Sequence, residues 1–133
     1  MGEDFGKLIL RLTVGGLLLL HGVHKLLGGI EPIKHMLAAH GAPDMLAYGV
    51  YAGEIAAPVL LIIGLASRLG AGLIVINMIV AALLAGGGRL LALDGQTGGY
   101  AMELEAFYLL GALAVMFLGA GRLSVGGTDG QLN

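Results

Sequence analysis

The residues able to do chemistry in this chain lie in its most apolar stretches. "LILRLTVGGLLLLHGVHKLLG", Leu8 to Gly28, carries a guanidinium (Arg11), two imidazoles (His21, His24) and an amine (Lys25). Glu54 interrupts a second apolar run, Asn77 a third, and Glu103 and Glu105 stand at the mouth of a fourth. Imidazole and amine donate to a carbonyl, and a carboxylate accepts a proton from a hydroxyl. A set of donors facing acids therefore suits a small polar head group. Burying such groups in hydrocarbon costs about 2.5–3.5 kcal/mol for a central charge on insertion scales, so they turn toward partners or a cavity.

Helical spacing sorts these groups. At about 100° per residue, Arg11, Lys25 and His21 fall on one face of the first helix, and His24 lies at the edge of that arc. Tyr51, Glu54 and Pro58 follow at i, i+3 and i+7 and form one stripe. Depth separates Arg11, roughly 20 Å along the helix from Lys25 at 1.5 Å per residue. Arg11 is therefore expected to anchor the helix at the inner interface. His21, His24, Lys25, Glu54, Glu103 and Glu105 are expected to gather in the outer half, with Asn77 as an interhelical hydrogen-bond donor. A plainer reading stands beside this one: Lys25 snorkels to the head groups, and the histidines are neutral and structural.

The elements that must position these residues follow from composition. Of 133 residues, 57% are hydrophobic and only 12% charged, against about 25% charged in an average soluble domain. The mean hydropathy is +0.91. So few charges cannot cover the surface of a small soluble protein, which implies an integral membrane protein with the lipid bilayer as its first partner. The net charge of −2 and the lack of a basic run exclude nucleic acid as a partner. The absence of cysteine excludes a disulfide framework and thiolate metal sites. The acidic start, "MGEDFGK", differs from a basic secretory leader, so the first apolar segment is read as retained.

Four spans are expected, at about residues 8–27, 46–65, 69–85 and 104–121, forming an all-α, antiparallel four-helix membrane bundle in a single domain. Between the first two, "GIEPIKHMLAAHGAPD" (Gly29 to Asp44) carries Ile33, Met36 and Leu37 on one face, which suits a short interfacial helix. "ASR" (Ala66 to Arg68) makes a tight hairpin. "GGGRLLALDGQTGGYAME" (Gly86 to Glu103) is a glycine-rich loop without a Walker lysine. The polar tail, residues 122–133, is expected to be disordered. Lys7, Arg11, Arg68 and Arg122 oppose Lys25, Lys34 and Arg89, a bias that puts both termini in the cytoplasm. Glycines within the spans let helix backbones approach closely.

Three stretches resemble the DoxX-like family of small bacterial membrane proteins. The first helix resembles that family's first helix, with Arg near its start and "HG...K" near its end. "GEIAAPVLLIIGLASRLGA", Gly53 to Ala71, is similar to the second-helix signature. "ELEAFYLLGALAVMFLGAGRLSV", Glu103 to Val125, looks like the last helix and its closing turn. The resemblance implies a four-helix bundle in the bacterial inner membrane. It also implies association with redox complexes, with quinone or thiol stress systems, or with thiosulfate oxidation. The matching positions are Arg11, His21, Lys25, Glu54, Pro58, Arg68, Glu103 and Arg122. The lack of cysteine departs from thiol-active relatives and speaks against disulfide chemistry.

Three functions compete. The outer cluster binds a quinone-like ligand or another small polar molecule, with electrons supplied by a membrane oxidoreductase partner. Alternatively, the chain is a non-catalytic assembly subunit or homo-oligomer in which the cluster only locks the bundle. The third is copper or haem binding, for which His35, Met36 and His40 are weak candidates. All three make the chain an accessory rather than an enzyme acting alone.

Overall fold

The computed structural model describes residues 1–85 and 90–133. Arg89 and the "GGG" before it, read above as part of a loop and of the charge balance, lie outside the described residues.

The first helix, α1 (Gly2–Gly28), buries a stripe of Arg11, Val14, Gly15, Leu18 and Gly22, the spacing that puts residues on one helical face. Its other side presents Ile9, Leu12, Leu17, Leu20 and Leu27 outward. An apolar outside is stable only against lipid, and the leucine run supplies it. Pro32 opens α2 (Glu31–Ala39), where its missing N–H costs nothing. Leu37 of α2 is buried with Ile30 and Ala47, and Tyr51 and Leu84 pack beside them. This is the expected half-buried helix between the first two spans.

The second span, α3 (Asp44–Ile63), is one helical run of 20 residues with changing pitch. It begins as a 3₁₀ turn (Asp44–Tyr48), widens to a π turn (Ala52–Ala56) and finishes as regular helix (Ala57–Ile63). Gly64, at φ 72° and ψ 43°, ends it in the left-handed conformation, so that the N–H groups of Gly64 and Leu65 both reach the Leu60 carbonyl. The tight turn delivers α4 (Ser67–Ala85). The last helix, α5 (Glu103–Leu118), has 16 residues and stops short of the expected end near 121, because Gly119 turns at φ 77°. Three of these helices are long and apolar enough to cross a membrane. The fourth is about 24 Å long at 1.5 Å per residue and relies on its flanking segments for the rest.

In the bundle α1 packs on α3, α3 on α4, α4 on α5 and α5 back on α1. Leu18, Leu61, Ile74, Ala112 and Val115 meet at the centre. The first long connection and the described part of the second, residues 90–102, lie at the Lys25 end and both termini at the Arg11 end, where the Arg122 N–H donates to Asp4 Oδ1 at 3.1 Å.

The tail corrects the sequence reading. It is folded across the Arg11 end rather than disordered. The Val125 and Gly126 N–H groups donate to the Ile63 and Gly64 carbonyls. The Arg68 N–H donates to the Leu132 carbonyl at 2.8 Å. Asn133 is buried; its Oδ1 accepts from the Ser67 N–H at 3.1 Å and its Nδ2 donates to the Gly127 carbonyl at 2.6 Å. Helix termini leave backbone groups without partners, and a polar, glycine-rich segment can supply them.

Candidate ligand-binding site

The site begins with a backbone irregularity in α3. Pro58 has no N–H, so the carbonyl of Glu54, four residues back, loses its regular helical donor. The chain widens there: the Ala57 N–H bonds the Ala52 carbonyl, five residues back. Such π turns recur at functional positions. Along the expected stripe, Glu54 and Pro58 are buried, and Tyr51 packs with Leu37 and Ala47.

Two glycines let that happen. A Cβ on Gly22 would sit 2.0 Å from the Glu54 carbonyl oxygen, and one on Gly53 would sit 2.5 Å from Asn77 Cβ. Neither position has room for a side chain, so α1 and α4 close on the wide turn from both sides.

The Glu54 side chain is 6% exposed. Lys25 Nζ donates to Glu54 Oε2 at 2.5 Å, and Asn77 Nδ2 donates to Oε1 at 3.4 Å. One cation and one carboxylate thus neutralise each other at one level of the bundle. His21 stands one turn away, its ring edge-on to Tyr108 at 5.8 Å and 84°.

The pair forms part of the wall between two cavities. The larger, about 550 Å³, opens among α2, α3 and α4 and is lined mainly by apolar groups such as Met36, Val50, Leu73 and Leu84. Lys25, Glu54, Asn77 and Glu105 are its polar lining. The smaller, about 110 Å³, adds His21 and Tyr108 to Lys25, Glu54 and Glu105.

The structure therefore brings together Lys25, Glu54, Asn77 and Glu105, with His21, itself exposed, at the rim of the smaller cavity. His24 faces outward and lines neither cavity. Glu103 is exposed, and its carboxylate lies over the backbone of Gly99 rather than in the cluster. Residues two apart on a helix point roughly 160° away from one another, which is why Glu105 enters the site and Glu103 does not. His35 is exposed, and His40 Nδ1 lies 2.8 Å from the Met36 carbonyl oxygen. Among the described residues no group of three or more His, Asp or Glu is placed to hold a metal ion.

Arg11 requires the second correction. It is not an interfacial anchor; it is completely buried. Nε donates to the Ala120 carbonyl at 3.0 Å, Nη1 to that of Leu61 at 2.7 Å, and Nη2 to that of Leu123 at 2.5 Å. The Leu61 carbonyl belongs to the last turn of α3, the negative end of its dipole. Arg68 acts similarly on α5, donating to the Met116 carbonyl at 3.1 Å. Sequence reading missed the carbonyl partners, for which no residue type is a signal.

A ring of apolar helices that buries Arg11 and Glu54 and shows leucine to its surroundings defines a small helical membrane protein. The family model for DoxX matches residues 6–87, and the chain belongs to the DoxX family. That stretch contains the first two of the three resembling segments; the third, Glu103 to Val125, lies outside it. No curated protein and no solved structure matches the chain.

Proposed function

We propose that this protein binds a small amphipathic, quinone-like molecule in the larger cavity, as the ligand-holding subunit of a redox- or stress-linked membrane complex. One observation carries the reading: the Lys25–Glu54 pair is not sealed in a packed knot but borders a cavity of about 550 Å³. That volume falls within the usual range for small-molecule sites, and an apolar wall with a few convergent polar groups is their usual lining. The donor set fits the ligand class. Lys25 and Asn77 have further N–H groups for a ring oxygen, Glu105 accepts from a ring hydroxyl, Glu54 positions Lys25, and the apolar wall takes the tail. When bound, a quinone would supply two-electron redox chemistry, with electrons from a partner protein. The chain's own residues position the head group and exclude water around it. Lys7, Arg68 and Arg122 at the Arg11 end support a cytoplasmic location for both termini in a bacterial inner membrane.

Calorimetric titration of the protein in detergent with decyl-benzoquinone and decyl-hydroquinone tests this. Saturable binding at one site is expected from at least one of them, weakened by about tenfold or more in Glu54→Gln while helix content and monodispersity persist. No saturable binding, or equal binding by a folded Glu54→Gln variant, would leave the assembly-subunit reading in its place.

A further inference from the structure

The polar groups around the larger cavity are unequal in number, and the imbalance selects the ligand's head group. Two carboxylates, Glu54 and Glu105, and one ammonium, Lys25, border it. Lys25 and Asn77 both donate to Glu54, so Glu54 is already satisfied. Glu105 is half-buried and has no hydrogen-bond or ion-pair partner among the described residues. Lys25 spends one of its three N–H groups on Glu54. The unmet requirements of the wall are thus one strong acceptor and a spare donor.

Resting on the ligand-site reading above, we propose that the ligand presents a neutral hydroxyl, of phenol or hydroquinone type, which donates to the Glu105 carboxylate and accepts from Lys25. The alternatives fit less well. A quinone carbonyl accepts from Lys25 but sets oxygen against the Glu105 carboxylate. A fatty-acid carboxylate meets two acids and one ammonium. An alkylammonium donates to Glu105 but cannot accept from Lys25, and it repels that charge. A hydroxyl is both donor and acceptor, and a neutral head enters an apolar cavity without the cost of dehydrating a charge. A hydrogen bond to a charged acceptor is roughly twice as strong as one between neutral groups, so Glu105 is the residue that sets this selectivity. Glu54, held by two donors, positions Lys25.

The test uses one tail and four heads: decyl-hydroquinone, decyl-benzoquinone, decanoate and decylammonium, each titrated calorimetrically into the detergent-solubilised protein at neutral pH under anaerobic conditions. The hydroquinone is expected to bind most tightly, by about tenfold over the benzoquinone. Glu105→Gln should reduce that ratio to about threefold or less, by weakening hydroquinone binding and relieving the repulsion of the benzoquinone carbonyl. Ala81→Phe, which adds bulk where both cavities share a wall, should weaken all four. If benzoquinone, decanoate or decylammonium binds at least as tightly as hydroquinone, or if Glu105→Gln leaves the ratio intact, the hydroxyl assignment is wrong although a ligand site remains. If none of the four binds, the ligand-site reading fails as well.

Discussion

The two ends of this bundle bury a cation in opposite ways. At the Lys25 end the cation faces a carboxylate, and empty volume lies on both sides of the pair. At the Arg11 end the cation is satisfied by main-chain carbonyls, with no carboxylate in contact among the described residues and no exposed surface. Lysine is a flexible point charge that can shift between partners, whereas the planar guanidinium has five donors in a fixed fork. The first arrangement leaves room for a guest. The second engages all three guanidinium nitrogens to fasten α1 to the end of α3 and to the segment that follows α5.

The comparison is broken most severely by Arg11→Met. Several buried carbonyls would lose their donor at once, so a loss of about 3–5 kcal/mol is expected, in the range for breaking a buried charged network. It would be measured as a collapse of the folded fraction in a denaturing-detergent titration. Arg11→Lys should recover only part of it.

Gly22→Ala comes next. A methyl group 2.0 Å from a backbone oxygen must push α1 away from α3, at a cost of about 1–3 kcal/mol typical of overpacking. The same variant should lose ligand affinity, because Lys25 lies one turn beyond Gly22.

The Lys25 end should tolerate charge removal better. Lys25→Met alone leaves Glu54 buried without its cation and should lower the midpoint of the same titration. Lys25→Met combined with Glu54→Gln should restore much of that loss, since replacing both members of a buried pair is often neutral. A double variant no more stable than the worse single one would show that the two ends differ less than the geometry indicates.

The smallest effect sharpens the contrast with the surface. The Tyr48 hydroxyl, chiefly, and the Glu31 carboxylate raise the Lys34 amine above its ordinary range. A raised amine stabilises the fold while protonated, below the ordinary lysine range, and loses that contribution as pH climbs through its folded value. Lys34→Met should therefore leave thermal stability nearly unchanged at pH 7, and the small gap from wild type should close at strongly alkaline pH.

Much of the architecture was legible from the first. Leucine runs mark the spans, Pro32 marks the start of the short helix between the first two, and the absence of soluble-type charge identifies the solvent. Glu54 was also legible as an acid unable to snorkel, and Asn77 as a donor between helices. What stayed hidden depends on groups that every residue shares. The partners of Arg11 are carbonyls, so nothing in the letters Ala120 or Leu123 announces them. The tail's composition resembles solvated chain, yet its bonds answer the free backbone groups of the turn between α3 and α4. Pro58 marks a break in the helical hydrogen bonding, but a regular 3.6-residue wheel cannot show the π turn at Ala52–Ala56.

The Arg11 clasp also has a bearing on biogenesis. Its guanidinium emerges from the ribosome in the first helix, while two of its acceptors lie 109 and 112 residues further along. Contacts of such large sequence separation close late. Until they do, α1 holds an uncompensated cation that favours the water–lipid boundary over the acyl tails. Ala120 and Leu123, translated after the last helix, therefore finish the seat of the first one.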